Sequence, residues 1–370
     1  QDDRGGVYFT AALSFTGCLI EDAMTRFAKV AFCLFASVLP VSAIAQDAAT
    51  PSDPAPRGPI KLNVVVTPSS GEPVANLQQS AFTLLDNGQP QPLAAFRAVT
   101  GTQDPVKMLF VIDAVNINFT RLSYERSQIG AFLKANNGVL AEPSALAIVS
   151  DTSTETMPNF TTDGNALSKV LDDKVIGLRE LRRDSGFYGA EDRLDISLKA
   201  FRGLVAQFSA TPGRKAMVWI SPGWPLLSGP SVQLSGKQEQ GIFQEVVNLS
   251  TAMRQGNITL YNVDPLGAGQ GPLSTFYYEN FLKGARKPGD VLPGNLGVQV
   301  LAVQSGGLVL TSSNDVKALL QRCVDDTRAS YEIAFKPSPA DAPNQFHRIE
   351  VKVAEPHLTA RTRQGYYAQP

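Results

Sequence analysis

Between residues 107 and 327 this chain alternates apolar runs of strand length with amphipathic stretches of helix length, which restricts that region to an α/β fold. The strand-like runs are Lys107-Met-Leu-Phe-Val-Ile-Asp113 and residues 145–149, 216–220, 258–263 and 307–311, with 155–160 as a short edge strand. Helical spacing covers 124–137, 164–175, about 190–208, 241–255, a short stretch ending at Gln304, and 314–327. Strands this apolar are buried on both faces, so the pattern predicts a doubly wound, mostly parallel sheet.

The regions on either side read differently. Ile60-Lys-Leu-Asn-Val-Val-Val-Thr67 is strand-like, Phe82-Thr-Leu-Leu runs into the hairpin turn Asp86-Asn-Gly-Gln, and 93–99 adds a further strand. Residues 329–337, 348–354 and 358–367 are again strands. Neither group makes a stable sheet alone, so the two are expected to close one small β-sandwich, 60–104 with 329–370, into which the α/β domain 105–328 is inserted.

Upstream, Met24-Thr-Arg-Phe-Ala-Lys29 supplies two cations, 30–41 an apolar run, and Ser42-Ala-Ile-Ala45 an A-x-A cleavage site. That order predicts a signal peptide over 24–45, cleaved after Ala45, and hence a secreted, periplasmic or cell-envelope protein. The apolar run is too short for a bilayer span, and no transmembrane span is expected in the mature chain. Residues 1–23 read as a gene-model extension and the Ala/Pro/Asp-rich stretch 46–59 as a disordered linker. Cleavage removes Cys18 and Cys33, leaving Cys323 alone in a helical pattern as a buried thiol without a disulfide partner. The chain carries a formal charge of −1, the stretch through Ala45 accounts for −1, and the neutral remainder gives no reason to expect a nucleic-acid partner.

The runs Leu109-Phe-Val-Ile-Asp113, Arg254-Gln-Gly-Asn-Ile-Thr-Leu-Tyr-Asn-Val-Asp264-Pro and Leu301-Ala-Val-Gln-Ser-Gly-Gly-Leu-Val-Leu310 resemble the von Willebrand factor A domain. With Asn63-Val-Val-Val-Thr, Phe82-Thr-Leu-Leu-Asp-Asn-Gly88-Gln-Pro-Gln, His347-Arg-Ile-Glu-Val-Lys-Val and Gln364-Gly-Tyr-Tyr-Ala368, the chain is similar to the exported von Willebrand A-related proteins of acidobacteria. The resemblance implies a ligand site at the carboxyl ends of the strands. In metal-binding members a divalent cation, Mg or Ca, sits there on an Asp-x-Ser-x-Ser loop, a Thr and a second Asp. Here Asp113 matches the first acid, but Val115 and Ile117 stand at the serine positions and Ser221 where the second Asp is expected. The loop 186–195 holds no Thr. The resemblance thus implies a degenerate metal site. Three readings stay open: an unconventional site using Asp113, Asn116 or Asn118 with Asp192 or Asp195; Arg193 replacing the ion beside Asp113; or Asp113 capping a loop and meeting solvent.

Catalytic groups are scarce. His347 and His357 both fall in the C-terminal β segment, no G-x-S-x-G elbow is present, and residues 229–238 do not space as a P-loop. Asp172-Asp173 and Asp325-Asp326 sit on predicted helices as solvated pairs. Trp219 is expected in the core, Trp224 at the carboxyl end of its strand where a ligand approaches, and Phe276-Tyr-Tyr278 with Phe281 in a long Gly/Pro-rich loop. The expectation is a non-enzymatic binding, adhesion or scaffolding role toward a protein or extracellular polymer, through a crevice of Asp113, Asn116, Asn118, Arg193, Ser221 and Trp224. The alternative is an extracytoplasmic hydrolase using Ser221 or Asp113.

Overall fold

The computed structural model describes residues 58–100, 104–117, 119–174, 186–225, 233–265, 277–311 and 313–369. The stretch expected to be a signal peptide, most of the expected linker, Asn118 and Phe276 lie outside the described residues.

The first flank folds as β1 (Ile60–Pro68), β2 (Phe82–Asp86), β3 (Gln89–Gln91) and β4 (Leu93–Thr100). The α/β region begins with β5 (Lys107–Asp113), α1 (Phe119–Leu133), β6 (Val139–Val149), β7 (Thr154–Thr156) and β8 (Thr161–Asp163). It continues through α2 (Gly164–Asp173), α3 (Gly186–Ser209), β9 (Lys215–Ile220), α4 (Gly236–Gln255) and β10 (Ile258–Val263). Then come α5 (Val298–Gln304), β11 (Val309–Leu310) and α6 (Val316–Asp326). The last flank is β12 (Ala329–Phe335), β13 (Gln345–Val353), β14 (Leu358–Arg361) and β15 (Gly365–Ala368).

Among the described residues the central sheet runs β11-β10-β9-β5-β6-β7, parallel except for β7 and for β8, which pair antiparallel with β6. Alternation along β5 explains why the sheet is covered twice. Leu109 and Val111 join a core with Phe201, Leu204 and Phe243 of α3 and α4. Met108, Phe110 and Ile112 join a second with Leu122, Ile129, Leu167 and Leu320 of α1, α2 and α6. The chain winds from β5 toward β7 and then back through β9 to β11, so the order reverses between β5 and β9. Their carboxyl ends, at Asp113 and Ser221, flank the switch point where open α/β sheets take ligands.

The flanks form two further sheets, β14-β1-β12-β4 and β15-β13-β2-β3. Each mixes strands from both flanks: Ile60 pairs with Phe335, and Asp86 with Ile349. Ile60, Leu62, Val64, Phe82, Leu84, Tyr331, Phe335 and Val351 fill the space between them. A doubly wound, mostly parallel sheet inserted into a β-sandwich, as expected, is the fold. Within the sandwich, Tyr366 Oη donates to Asp86 Oδ2 at 2.8 Å, and His347 Nδ1 lies 3.0 Å from Asp86 Oδ1, all three side chains buried.

Three local expectations change. Residues 358–367 are two strands on different sheets: Thr362 Oγ1 donates to Asn63 O and Gln364 N to Gln304 O, drawing the chain off β14 before β15 begins. Gly365 opens β15 because a Cβ there would lie 2.4 Å from His347 O. Residues 186–195 are the first turns of α3 rather than a loop, since the buried stripe Leu194, Leu198, Phe201, Val205, Phe208 carries the helix onto the sheet. Asp326 is buried rather than solvated, paired with Arg361 of β14 and accepting from Tyr261 Oη at 2.8 Å.

Candidate functional site

The carboxyl end of β5 turns on Asp113. Its Oδ1 accepts from Val115 N at 3.0 Å and Asn116 N at 3.2 Å, a side-chain turn that needs a short acceptor at this position. Its Oδ2 accepts from Asn116 Nδ2 at 2.8 Å and Trp219 Nε1 at 3.0 Å, and the Ser221 hydroxyl also bonds the carboxylate. Asp113 has no exposed surface. Burial raises its pKa, and the Asn116, Trp219 and Ser221 hydrogen bonds oppose that rise. The loop-capping role expected for Asp113 is present, but the solvent is not.

The neighbouring groups close the same end. Asn116 Nδ2 also donates to Ser197 Oγ at 2.9 Å, tying the β5 loop to α3. Ser221 Oγ accepts from Gly223 N at 3.1 Å and is buried. Gly223 has φ +107°, and a Cβ there would come within 2.0 Å of Gln299 Nε2, whose amide donates to Pro222 O at 3.2 Å. Trp224 is a covering residue rather than a ligand-facing one: it is buried, with ring centroids 5.3 Å from both Trp219 and Phe201 in edge-on contact.

Two residues at this end were missed by sequence reasoning. Asn262, inside the apolar strand β10, donates through Nδ2 to Trp219 O and Ser221 O, each at 3.1 Å, bracing β9 beyond the ladder. Glu125 of α1 has no exposed surface, and neither carboxylate oxygen has a hydrogen-bond partner among the described residues. Burial first, then the charges of Asp113 and the buried Asp264, raises its pKa well above the usual range. The available signal was its place in the helical stripe Leu122, Glu125, Ile129, Phe132, where a charged residue interrupts an apolar face.

These residues do not fit a divalent cation. The Asp113 oxygens are engaged by internal donors, Val115 and Ile117 are buried apolar side chains, and Asn116 turns its amide nitrogen toward Asp113. Asp192 and Asp195 lie on the exposed side of α3. Among the described residues no group of three or more His, Cys, Asp or Glu is placed to hold a metal. Arg193 is half-buried on α3 with Nη1 unbonded, and Asp113 is satisfied by neutral donors instead. Ser221 has no imidazole beside it, because His347 sits in the sandwich against Asp86.

The large hydrophobic side chains left exposed among the described residues are Tyr124, Val139, Tyr188, Tyr277 and Leu292. Tyr124 and Tyr188 stand toward the carboxyl end of the central sheet, on the early turns of α1 and α3. Tyr124 is on the α1 turns after β5 and donates to Asn314 O at 3.0 Å, beyond β11. Tyr188, 75% exposed, opens α3, whose far end feeds the start of β9. Tyr277 and Leu292 lie between the end of β10 and α5, the helix whose Gln299 reaches Pro222. No helix among the described residues is long and apolar enough to cross a membrane.

No protein-family model matches this chain, and no curated protein sequence does. Among solved structures it is similar to the SpRpn10 VWA domain, at 13% identity and TM-score 0.28, over 59% of this chain and 95% of that one. It is also similar to manganese-loaded Plasmodium vivax TRAP protein, at 11% identity and TM-score 0.31, over 75% of this chain and 98% of that one. The doubly wound, mostly parallel order of the central sheet is the one that the sequence pattern implies.

Proposed function

We propose that this protein is an exported, non-enzymatic binding module that engages a protein partner with the carboxyl-end face of its central sheet, without a resident cation. The observation that carries the reading is the exposure of Tyr124 and Tyr188 on the early turns of α1 and α3 at that end, with Tyr277 and Leu292 exposed on the segment between β10 and α5. Tyrosine in such a position supplies rigid, amphipathic contact area of the kind that concentrates binding energy. Asp113 has a structural part in this reading: it fixes the loop between β5 and α1 and so sets where Tyr124 stands.

The test uses the chain beginning at Gln46 to capture partners from envelope extracts. Capture of a defined protein that survives 150 mM salt, lost with Tyr188→Ser and Tyr277→Ser and kept with Val139→Ser, supports the reading. Capture indifferent to all three substitutions, or capture of polysaccharide only, overturns it. Export is tested by N-terminal sequencing of the protein recovered outside the cytoplasm, expected to begin at Gln46.

A further inference from the structure

A cleft of about 850 Å³ lies at the other end of the central sheet, where the start of β9 and the end of α4 meet the sandwich. Its wall carries Lys61, Arg97, Arg214, Lys215 and Arg254, against two acids, Asp104 and Glu332. Both acids are taken by Arg97, at 2.8 Å and 2.5 Å. The remaining cations have no acid within ion-pair distance among the described residues. Lys215 Nζ donates only to the backbone, at Thr211 O and Gly213 O, and Arg214 Nη2 to Thr327 O at 3.3 Å with Nη1 unbonded. Arg254 is half-buried, and beside it lies Arg363, only 7% exposed.

Burying a guanidinium without a counter-charge is unfavourable, and proteins ordinarily pair such groups. Here burial depresses Arg214, Lys215, Arg254 and Arg363 alike, the last to about 9 with Arg254 adding its repulsion. Asp104, Glu332 and Glu142 partly offset Arg214, but Lys215, Arg254 and Arg363 have no such carboxylate, and three cations in or beside one cleft form an arrangement that an anion would complete. The volume falls within the range of small-molecule sites, and guanidinium groups suit the planar, multidentate oxygens of carboxylates and phosphates.

We infer that this cleft binds a small oxyanion-bearing ligand, with Arg254 on its wall as the principal contact and Arg363 reinforcing the charge behind it. The site is separate from the aromatic face at the opposite end of the sheet. Its test is calorimetry on the chain from Gln46 at 150 mM NaCl, with pyrophosphate, succinate and glucose as probes. Binding of pyrophosphate or succinate, with none of glucose, is expected, and whichever oxyanion binds assigns the ligand as phosphate or carboxylate. Arg254→Met is expected to weaken that binding at least tenfold. Arg363→Met is expected to weaken it while raising Tm, because it removes an unpaired buried charge, a combination that loss of folding cannot produce. Failure of both oxyanions to bind, or unchanged binding by Arg254→Met, overturns the inference. So does a Tm lowered by Arg363→Met.

Discussion

Arg361 on β14 places Nη2 2.5 Å from Asp326 Oδ1 and 2.6 Å from Oδ2, pinning the sandwich to the last helix of the α/β domain. Burial opposes the Arg361 charge, yet Asp326 outweighs it and raises the guanidinium pKa. Arg361 Nη1 also donates to Gly306 O, and Tyr261 Oη shares the same carboxylate, so one residue of the sandwich organises three elements of the domain.

Removing one partner of this pair leaves a buried charge uncompensated. Arg361→Ala is expected to lower stability by about 3–5 kcal/mol, with Arg361→Leu/Asp326→Leu recovering part of that loss. Urea unfolding followed by circular dichroism measures both, and an Arg361→Ala loss below about 1 kcal/mol contradicts the pin.

Glu125 makes stability depend on pH. Its folded pKa lies above the unfolded value of 4.5, so the native state holds a proton that the unfolded chain has already released. Its favourable contribution is therefore complete below about pH 4.5 and lost as pH rises through the folded value. Glu125→Gln is expected to raise Tm at pH 8 and to flatten the fall in Tm between pH 5 and pH 8. Thermal melts across that range check it, and parallel curves for the two proteins contradict it.

Asp113→Ala leaves the buried Trp219 indole N–H without its acceptor and removes one of the two bonds that the Asn116 amide donates. A loss of about 2–4 kcal/mol is expected from these lost bonds. Calorimetry with magnesium, manganese and calcium is expected to give no micromolar binding to the unsubstituted protein. Micromolar binding abolished by Asp113→Ala would show that the carboxylate opens to a cation.

Tyr188→Ser is expected to leave stability within about 0.5 kcal/mol, since the ring is largely in solvent. The same substitution at Trp224 is expected to cost about 3–5 kcal/mol by emptying the contact with Trp219 and Phe201. Denaturant midpoints of the two variants separate the exposed face from the closed one beneath it.

Cys323 is buried in α6, and burial raises its thiol pKa far above the usual range. A thiol-specific reagent is expected to modify it only at the rate of unfolding, so labelling at native pH that outpaces global unfolding contradicts this.

The layered architecture was legible because its causes are periodic. Apolar runs such as Leu109 to Ile112 feed both cores at once, and only a sheet covered on both faces accommodates that. The sandwich was legible because two strand-rich flanks could not stand alone. The site was less so, because its closure depends on partners distant in the chain. Trp219 Nε1 meets Asp113 across 106 residues of sequence, and no local pattern announces that bond. A loop over 186–195 would leave Arg193 and Asp192 free to reach the crevice. Once those residues are helical, Asp192 faces outward. The division of 358–367 between two sheets was equally hidden, since both halves are strand-like.

The interleaving of the flanks imposes an order on biosynthesis. A chain synthesised or threaded across a membrane from its amino end delivers β1 to β4 long before β12 and β13, which lie beyond residue 328, so the early strands must wait with open edges. The outer layer closes only once strands beyond residue 328 are available to pair with β1, β2 and β4. A chain released early, even with its α/β domain intact, would expose the unpaired edges of β1 and β2 to the proteases and chaperones that clear incomplete polypeptides.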